Sequence, residues 1–434
     1  MRPTRYFSTL FVANVATLAA LLLPGATGTP FANNPVTIVQ SATSLSHSSP
    51  AFGGIAPGTD LSVLTYQVHE YKITTFQSSN SSSTTSSTTT TNNEVNEATS
   101  DLQKLQNHFG GAALEYNLHK LASEAAYYVM PWPSSYWAMY LDSINYRWKS
   151  PSDPSPAEKY ANAFGIDPAA FMSSVSKSTG VDSMAASGSS CWTDWDCASK
   201  ALLEPEPNCA VDYNGVTFYP MDIKALLSEI YDGAKITTIF TGARFYGPDT
   251  DESKDEYGRY KDASRRDLGP GFMHVALSNI IGRFKASVVM DVTAGAQVWN
   301  QPIYSYKVLT QTEMTLSDAA NQFFRVSTYP FNNEAKRIMY VETSVSWMVE
   351  TFEDGGLVAS GRASTYMNSK TYKYLLEMDN DYNILGGEWV GESQADHPDF
   401  LWLPKARPDL SLVTEVGLSY QNVRTLLDKA TNCS

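Results

Sequence analysis

The apolar positions of this chain change period about halfway along. In the first half they recur at helical spacing. "DLQKLQNHF" sets Leu102, Leu105 and Phe109 three and four residues apart, which predicts a helix from Asp101. "SPAEKYANAFG" carries Ser155 as N-cap, Pro156 in the first turn, Glu158 to close a capping box and Gly165 beyond the end. "DPAAFMSSVSKSTG" repeats the pattern from Asp167. "MDIKALLSEIYDG" offers Asp222 as cap, one apolar face from Ile223 to Tyr231, and Gly233 as a stop. In the second half "KITTIF", "SVVMDV", "YSYKVL", "RIMYVETSVSWMVET", "YKYLLEM" and "YNILGGEWV" are β-branched and aromatic with short turns between them. Helices first and antiparallel strands later predict an α+β fold.

The first hundred residues carry little of this patterning. Arg2 and Arg5 precede the apolar "LFVANVATLAALLLPGA", and Ala26-Thr27-Gly28 supplies small residues for cleavage. Residues 1–28 therefore read as a secretory signal peptide. Residues 29–100 contain the tracts "QSATSLSHSSP" and "SSNSSSTTSSTTTTNN". Such tracts bury too little apolar surface to offset their ordering entropy, so 29–100 reads as a Ser/Thr-rich pro-segment or linker. The folded domain is expected over 101–434. No later run is long and apolar enough to span a bilayer. The expected location is extracellular or the cell wall.

Export changes how the four cysteines are read. Cys191, Cys197, Cys209 and Cys433 form an even set, expected to pair as two disulfides in an oxidising compartment. A nucleophilic cysteine among them would leave an odd number for bridging. Asn80-Ser81-Ser82 and Asn432-Cys433-Ser434 are glycosylation sequons. The 434 residues are 43% hydrophobic, ample for a core, and carry 31 Lys and Arg against 45 Asp and Glu, a net charge of -14. No basic stripe stands out, which argues against a nucleic-acid partner.

Candidate chemistry centres on "FMHVALSNIIGRFKASVVMDVTAGAQVWNQ". His274 opens one apolar run, and Asp291 closes the next seventeen residues later. If the two runs form a hairpin turned at Gly282-Arg283, its ends bring imidazole and carboxylate together. That is the His-then-acid half of a cysteine-type triad, in which the acid fixes the tautomer and stabilises imidazolium. A helical reading of 275–281 stays open. A second candidate is "PDTDESKDEYGRYKD", where Asp249, Asp251 and Asp255 offer hard oxygen ligands suited to Ca²⁺, or simply a solvated acidic loop.

Several longer stretches are recognisable. "VWNQPIYSYKVLTQTEMT", "EPEPNCAVDYNGVTF", "DEYGRY", "RRDLGPGFMHVALSNIIG" and "GGEWVGESQADHPDFLWLP" resemble the oomycete transglutaminase elicitor family over about residues 101–433. The resemblance implies a calcium-dependent, secreted transglutaminase with a cysteine-protease-like core. Such an enzyme acts on the Gln and Lys side chains of proteins. It also implies that plants perceive the segment Val298, Trp299, Asn300, Gln301 and Pro302 through a surface receptor. His274 matches the family's histidine and Asp291 its acidic partner. Tyr304-Ser305 and Thr310 depart from the family's Arg-Gly and Glu.

The larger departure is upstream. Before its Leu-Glu-Pro-Glu-Pro run the family carries a Cys-rich insertion ending in a Cys-His-Ala-Trp-like motif, whose Cys is the nucleophile. This chain reads "GSSCWTDWDCASKALLEPEPNC" and passes from Lys200 directly into Ala201-Leu202-Leu203. The nucleophilic Cys is absent, through a genuine loss or through coding sequence removed as an intron. Cys191 and Cys197 match the insertion's disulfide cysteines. Three classes of function follow: a transglutaminase; a catalytically inactive relative acting as a surface or wall-binding elicitor; and a cysteine hydrolase using a remaining thiol.

Overall fold

The computed structural model describes residues 101–187, 194–234 and 236–433, with the side chains of 187 and 194–197 left out. The expectations for the signal peptide, the 29–100 segment, Asn80 and Cys191 lie outside the described residues, as does any pairing of Cys197.

The strands of the described residues are, in chain order, β1 (Glu124–Ala126), β2 (Val211–Tyr213), β3 (Val216–Phe218), β4 (Thr238–Gly242), β5 (Val288–Asp291), β6 (Asn300–Met314), β7 (Arg337–Met348), β8 (Met367–Met378), β9 (Ile384–Trp389) and β10 (Phe400–Pro404). Eight of them form one sheet in the order β4-β10-β5-β6-β7-β8-β9, with β1 pairing β6; β2 and β3 form a separate hairpin. Every pairing in the large sheet is antiparallel. Each strand expected from β-branched runs is present. β10, from "FLWLP", was not expected; it returns from the C-terminal region to lie between β4 and β5.

The helices are α1 (Pro156–Phe164), α2 (Pro168–Thr179), α3 (Val181–Ser187), α4 (Asp194–Leu203), α5 (Pro220–Gly233), α6 (Pro270–Leu277) and α7 (Tyr420–Asn432), besides several single turns and a helical stretch over 101–108. Local chemistry sets their ends. The Ser155 hydroxyl accepts from the Glu158 N–H at 3.1 Å while the Glu158 carboxylate accepts from the Ser155 N–H at 2.7 Å, the expected capping box. Asp167 caps α2 through the Ala170 N–H at 3.0 Å. α5 corrects an expectation: it starts at Pro220, and Asp222 sits inside its first turn, accepting from the Tyr219 N–H at 2.8 Å. Proline's preset φ takes over the start.

The core has distinct parts. One cluster packs the 101–108 helix and α6 with Val288 and Met290 of β5 and with Tyr374 of β8. A helical cluster gathers α1, α2, α5 and α7. A third joins Ala198 and Leu202 of α4 to Val289, Phe400 and Trp402. β5 thus presents alternate residues to two faces. Cys209 and Cys433 form a disulfide that ties the end of α7 to the segment before β2. Closing a loop of 224 residues is worth about 5 kcal/mol of unfolded-chain entropy.

Candidate active site

His274 lies on a helix, not on a strand. α6 and the π-type turn Ser278–Arg283 that continues it occupy the first arm of the expected hairpin. Pro270 starts the helix, and glycines let it settle on β9. A Cβ on Gly271 would meet the Gly386 carbonyl carbon at 2.5 Å. One on Gly387 would lie 2.3 Å from the Leu375 oxygen and 3.3 Å from Pro270 Cγ. The close approach carries His274 into the core, 4% exposed. Its Nδ1 is 2.7 Å from the Tyr374 hydroxyl, which lies 2.7 Å from Thr343 Oγ1. Burial lowers the imidazole's pKa from 6.5 to about 4, so the ring is neutral at pH 7.

The expected bond between His274 and Asp291 is not formed. The histidine is held by Tyr374, and the aspartate by its own hairpin. The physical reason is periodicity. The hairpin reading needed 275–281 to alternate, whereas "GPGFMHVALSNII" is apolar on every side and packs as a buried helix. Strand alternation then puts Asp291 with Val289, on the face that α4 covers, away from Val288 and Met290 beside α6.

Asp291 ends β5, fully buried. Its Oδ1 accepts from the Thr293 N–H at 3.2 Å, the Trp299 N–H at 3.1 Å and the Thr293 hydroxyl at 3.4 Å. Its Oδ2 has no partner. Burial raises the carboxyl to about 7, against the pull of those donors and of the Arg244 guanidinium. Asp399, just before β10, donates its N–H to the Asp291 carbonyl at 3.2 Å. Its Oδ2 accepts from the Phe245 N–H at 3.0 Å and its Oδ1 is unpartnered. Burial, then the negative charges of Asp291 and Asp267, push it up to about 9. Two buried carboxyl groups with Arg244 nearby, one titrating near neutrality, are what acid–base chemistry at pH 7 requires.

The exit of β4 supports this cluster. The N–H groups of Gly242, Ala243 and Phe245 donate to Asp101 at 2.6 Å, Asp267 at 2.6 Å and Asp399 at 3.0 Å. Asp399, Asp267 and Arg244 were not singled out from the sequence. The available signal was "ADHPDFLWLP", an aspartate immediately before a wholly apolar strand. His397 in the same stretch has a structural role. Its Nδ1 faces the Ser393 carbonyl at 2.8 Å and its Nε2 the Arg265 carbonyl at 3.0 Å, and its ring stacks on Trp389.

α4 lies over this end of the sheet and runs into Glu204-Pro205-Glu206-Pro207. That motif is an anchor. Glu204, buried, takes Tyr231 Oη at 2.8 Å and also bonds Tyr420, Arg424 and Arg407. Glu206 pairs with the buried Lys224 at 2.7 Å. Two buried ion clusters therefore fix where α4 ends. Breaking one partner of such a pair typically costs about 3–5 kcal/mol.

The Val-Trp-Asn-Gln-Pro segment closes the β5–β6 hairpin. Asn300 stands opposite Asp291, and Pro302 opposite Val289. Trp299 is 41% exposed and Val298 partly buried, while Asn300, Gln301 and Pro302 are buried. The segment is thus partly exposed, and its Asn300-Gln301-Pro302 enters β6, which lies between β5 and β7, although proline offers no N–H to a ladder. Pro302 is the third residue of β6, beside a bulge between Ile303 and Ser305, where a missing N–H is tolerated.

The acidic loop does not gather. Asp249 accepts from the Ala296 N–H at 2.8 Å, Asp251 from the Ser253 N–H at 3.0 Å, and Asp255 pairs with Arg259 at 2.6 Å. Among the described residues no group of three or more His, Cys, Asp or Glu side chains converges as metal ligands would. Asp249, Asp251 and Asp255 do not fit a calcium site in this arrangement. No helix of the described residues is long and apolar enough to cross a membrane.

The transglutaminase elicitor family model matches residues 101–201 and 198–433. The chain belongs to the transglutaminase elicitor family. The crystal structure of the GP42 transglutaminase from Phytophthora sojae is similar at 41% identity, covering 77% of this chain and 98% of that one, with a TM-score of 0.69. No curated protein matches the chain significantly. The family match is in two pieces that meet at 198–201, inside α4 and where the sequence passes from Lys200 to Ala201.

Proposed function

We propose that the chain is the scaffold of a secreted protein-glutamine γ-glutamyltransferase from which the nucleophile-bearing segment is missing. The observation that carries this is positional. The family match breaks inside α4, and α4 packs on Val289, Phe400 and Trp402 at the sheet end where Asp291 and Asp399 are buried. A thiolate carried ahead of Leu202 would thus be supplied by the helix that covers the carboxyl pair.

In the intact arrangement the thiolate attacks the carboxamide carbon of a glutamine side chain. The C–N bond breaks, ammonia leaves with a proton from the site, and a thioester remains. A lysine amine then gives up a proton and attacks the thioester, forming the isopeptide bond and returning the thiolate. Asp291, near pKa 7, suits that proton traffic better than His274, whose pKa burial lowers to about 4 and whose Nδ1 is taken by Tyr374. Water must be kept out, or the thioester hydrolyses. Calcium dependence would need ligands other than Asp249, Asp251 and Asp255 as they stand. The substrates would be Gln and Lys side chains of proteins outside the cell or in its wall.

The second reading is a catalytically silent elicitor perceived by a plant surface receptor. The exposed Trp299 favours it. The two readings separate on labelled-amine incorporation into a glutamine donor by a folded chain that carries the family's Cys-containing segment between Lys200 and Ala201: turnover supports the first and none supports the second. Turnover by the chain as written would contradict the missing nucleophile.

A further inference from the structure

Across the β5–β6 hairpin, Asp291 and Asn300 face each other in register. Each has one polar atom satisfied and one orphaned. The Asp291 Oδ1 takes three donors, leaving Oδ2 without a partner. The Asn300 Oδ1 accepts from the indole Nε1 of Trp402 at 3.0 Å, leaving Nδ2 without a partner. An indole N–H can only donate, so it fixes which end of the amide faces it. The orphan on Asn300 is therefore a donor, and the orphan on Asp291 is an acceptor once the carboxyl is ionised. Asn300 is 1% exposed and Asp291 fully buried. A buried unmet donor or acceptor costs about 1–3 kcal/mol, so two on facing residues ask for a ligand.

We infer that the Asn300 Nδ2 and Asp291 Oδ2 recognise a primary carboxamide, the side chain of a substrate glutamine. The carbonyl oxygen of the amide accepts from Asn300, and its NH₂ donates to Asp291. A carboxylate could still accept from Asn300 but has no hydrogen to offer Asp291 and is repelled by it. Trp402 positions the pair by holding the Asn300 amide in one orientation. Trp299, whose N–H bonds the same aspartate, carries the hairpin to the surface, where the rest of a peptide would lie. This rests on the acyl-transfer reading and assigns the selection of glutamine over glutamate to two named residues.

The test is binding, because the chain as it stands needs no nucleophile to bind. The probe is N-acetyl-Gln-Gly N-methylamide, which has no other primary amide, with the Glu peptide as control. Affinity for the secreted chain is followed by saturation-transfer NMR. The expected result is a preference for Gln over Glu of about ten- to hundredfold, the equivalent of one unmet buried hydrogen bond. Asp291→Asn, whose amide can donate to a carboxylate as readily as accept from a carboxamide, should abolish that preference. Trp402→Phe, which frees the Asn300 amide to turn, should weaken Gln peptide binding while leaving Asp291 intact. Unfolding midpoints confirm that both variants fold. A wild-type chain that binds the two peptides equally, or neither, overturns the assignment. So does a folded Asp291→Asn chain that still selects Gln. Amine incorporation by a thiol-restored chain tests the acyl-transfer reading separately, so either can fail alone.

Discussion

The backbone N–H of Trp299 donates to Oδ1 of Asp291 at 3.1 Å. The exposed aromatic of the Val-Trp-Asn-Gln-Pro segment and the carboxyl proposed for acid–base work therefore belong to one hairpin. A surface feature available to a receptor and an interior feature available to a substrate are held by the same bond.

This relationship separates two substitutions at one position. Trp299→Ala keeps the N–H and removes a partly exposed ring, so stability should change by no more than about 1 kcal/mol. Trp299→Pro removes the donor to a buried carboxyl, with an expected loss of about 1–3 kcal/mol. Urea unfolding of the pair measures the difference. Equal losses would show that the ring, not the N–H, holds the hairpin.

The Asp291 carboxyl gives a pH signature. Its folded pKa, about 7, is above the ordinary 3.8. The folded state then holds the proton more tightly, so its relative stability is greatest below pH 3.8 and declines as pH rises to about 7. Above pH 7 the ionised form is destabilising by an amount on the order of 4 kcal/mol at ~1.4 kcal/mol per unit. Asp291→Asn should therefore raise the melting temperature at pH 8 and gain less at pH 5. A gain independent of pH would remove the titration from the explanation.

His274 should behave as a core residue. Tyr374→Phe deletes the partner of its Nδ1 and should cost about 1–3 kcal/mol. His274→Ala adds a cavity in the cluster around Tyr374 and should cost about 2–5 kcal/mol. In a thiol-restored chain, folded His274 variants should retain turnover. Loss of turnover at full stability would return the histidine to the catalytic site.

Much of this was legible in the residues. The capping box at Ser155, the glycine stops and the β-branched runs are local signals, and the structure follows them. The hairpin reading of the His274 segment gives way to its helical alternative, which stayed open because a short run that is apolar on all sides has no period to distinguish helix from strand. The deciding facts are long-range: Gly271 of α6 meets Gly386 of β9, more than a hundred residues away. Asp399 was missed for the same reason. Nothing near it in sequence says that β10 inserts between β4 and β5 and brings it to Asp291. Asp249, Asp251 and Asp255 looked like ligands by density alone. Each has a partner that spacing does not reveal: Asp251 and Asp255 close by in the chain, Asp249 at Ala296.

The acidic loop offers a further test. Asp251→Asn leaves the Asp255–Arg259 pair intact and removes a carboxylate exposed to solvent. Any shift in melting temperature that Ca²⁺ produces in the wild-type chain should persist in this variant. A calcium effect abolished by it would place a ligand there after all.

The most direct measurement of the central claim is amine incorporation by two chains side by side. One is the chain as written; the other carries the family's Cys-containing segment between Lys200 and Ala201. The first should be inactive or nearly so, since loss of a covalent nucleophile leaves about 10³-fold over water in a well-studied serine system. The second should turn over a labelled amine and a glutamine donor, and should lose that activity on Asp291→Asn. Robust turnover by the chain as written, or none by a folded, segment-bearing chain, would contradict it.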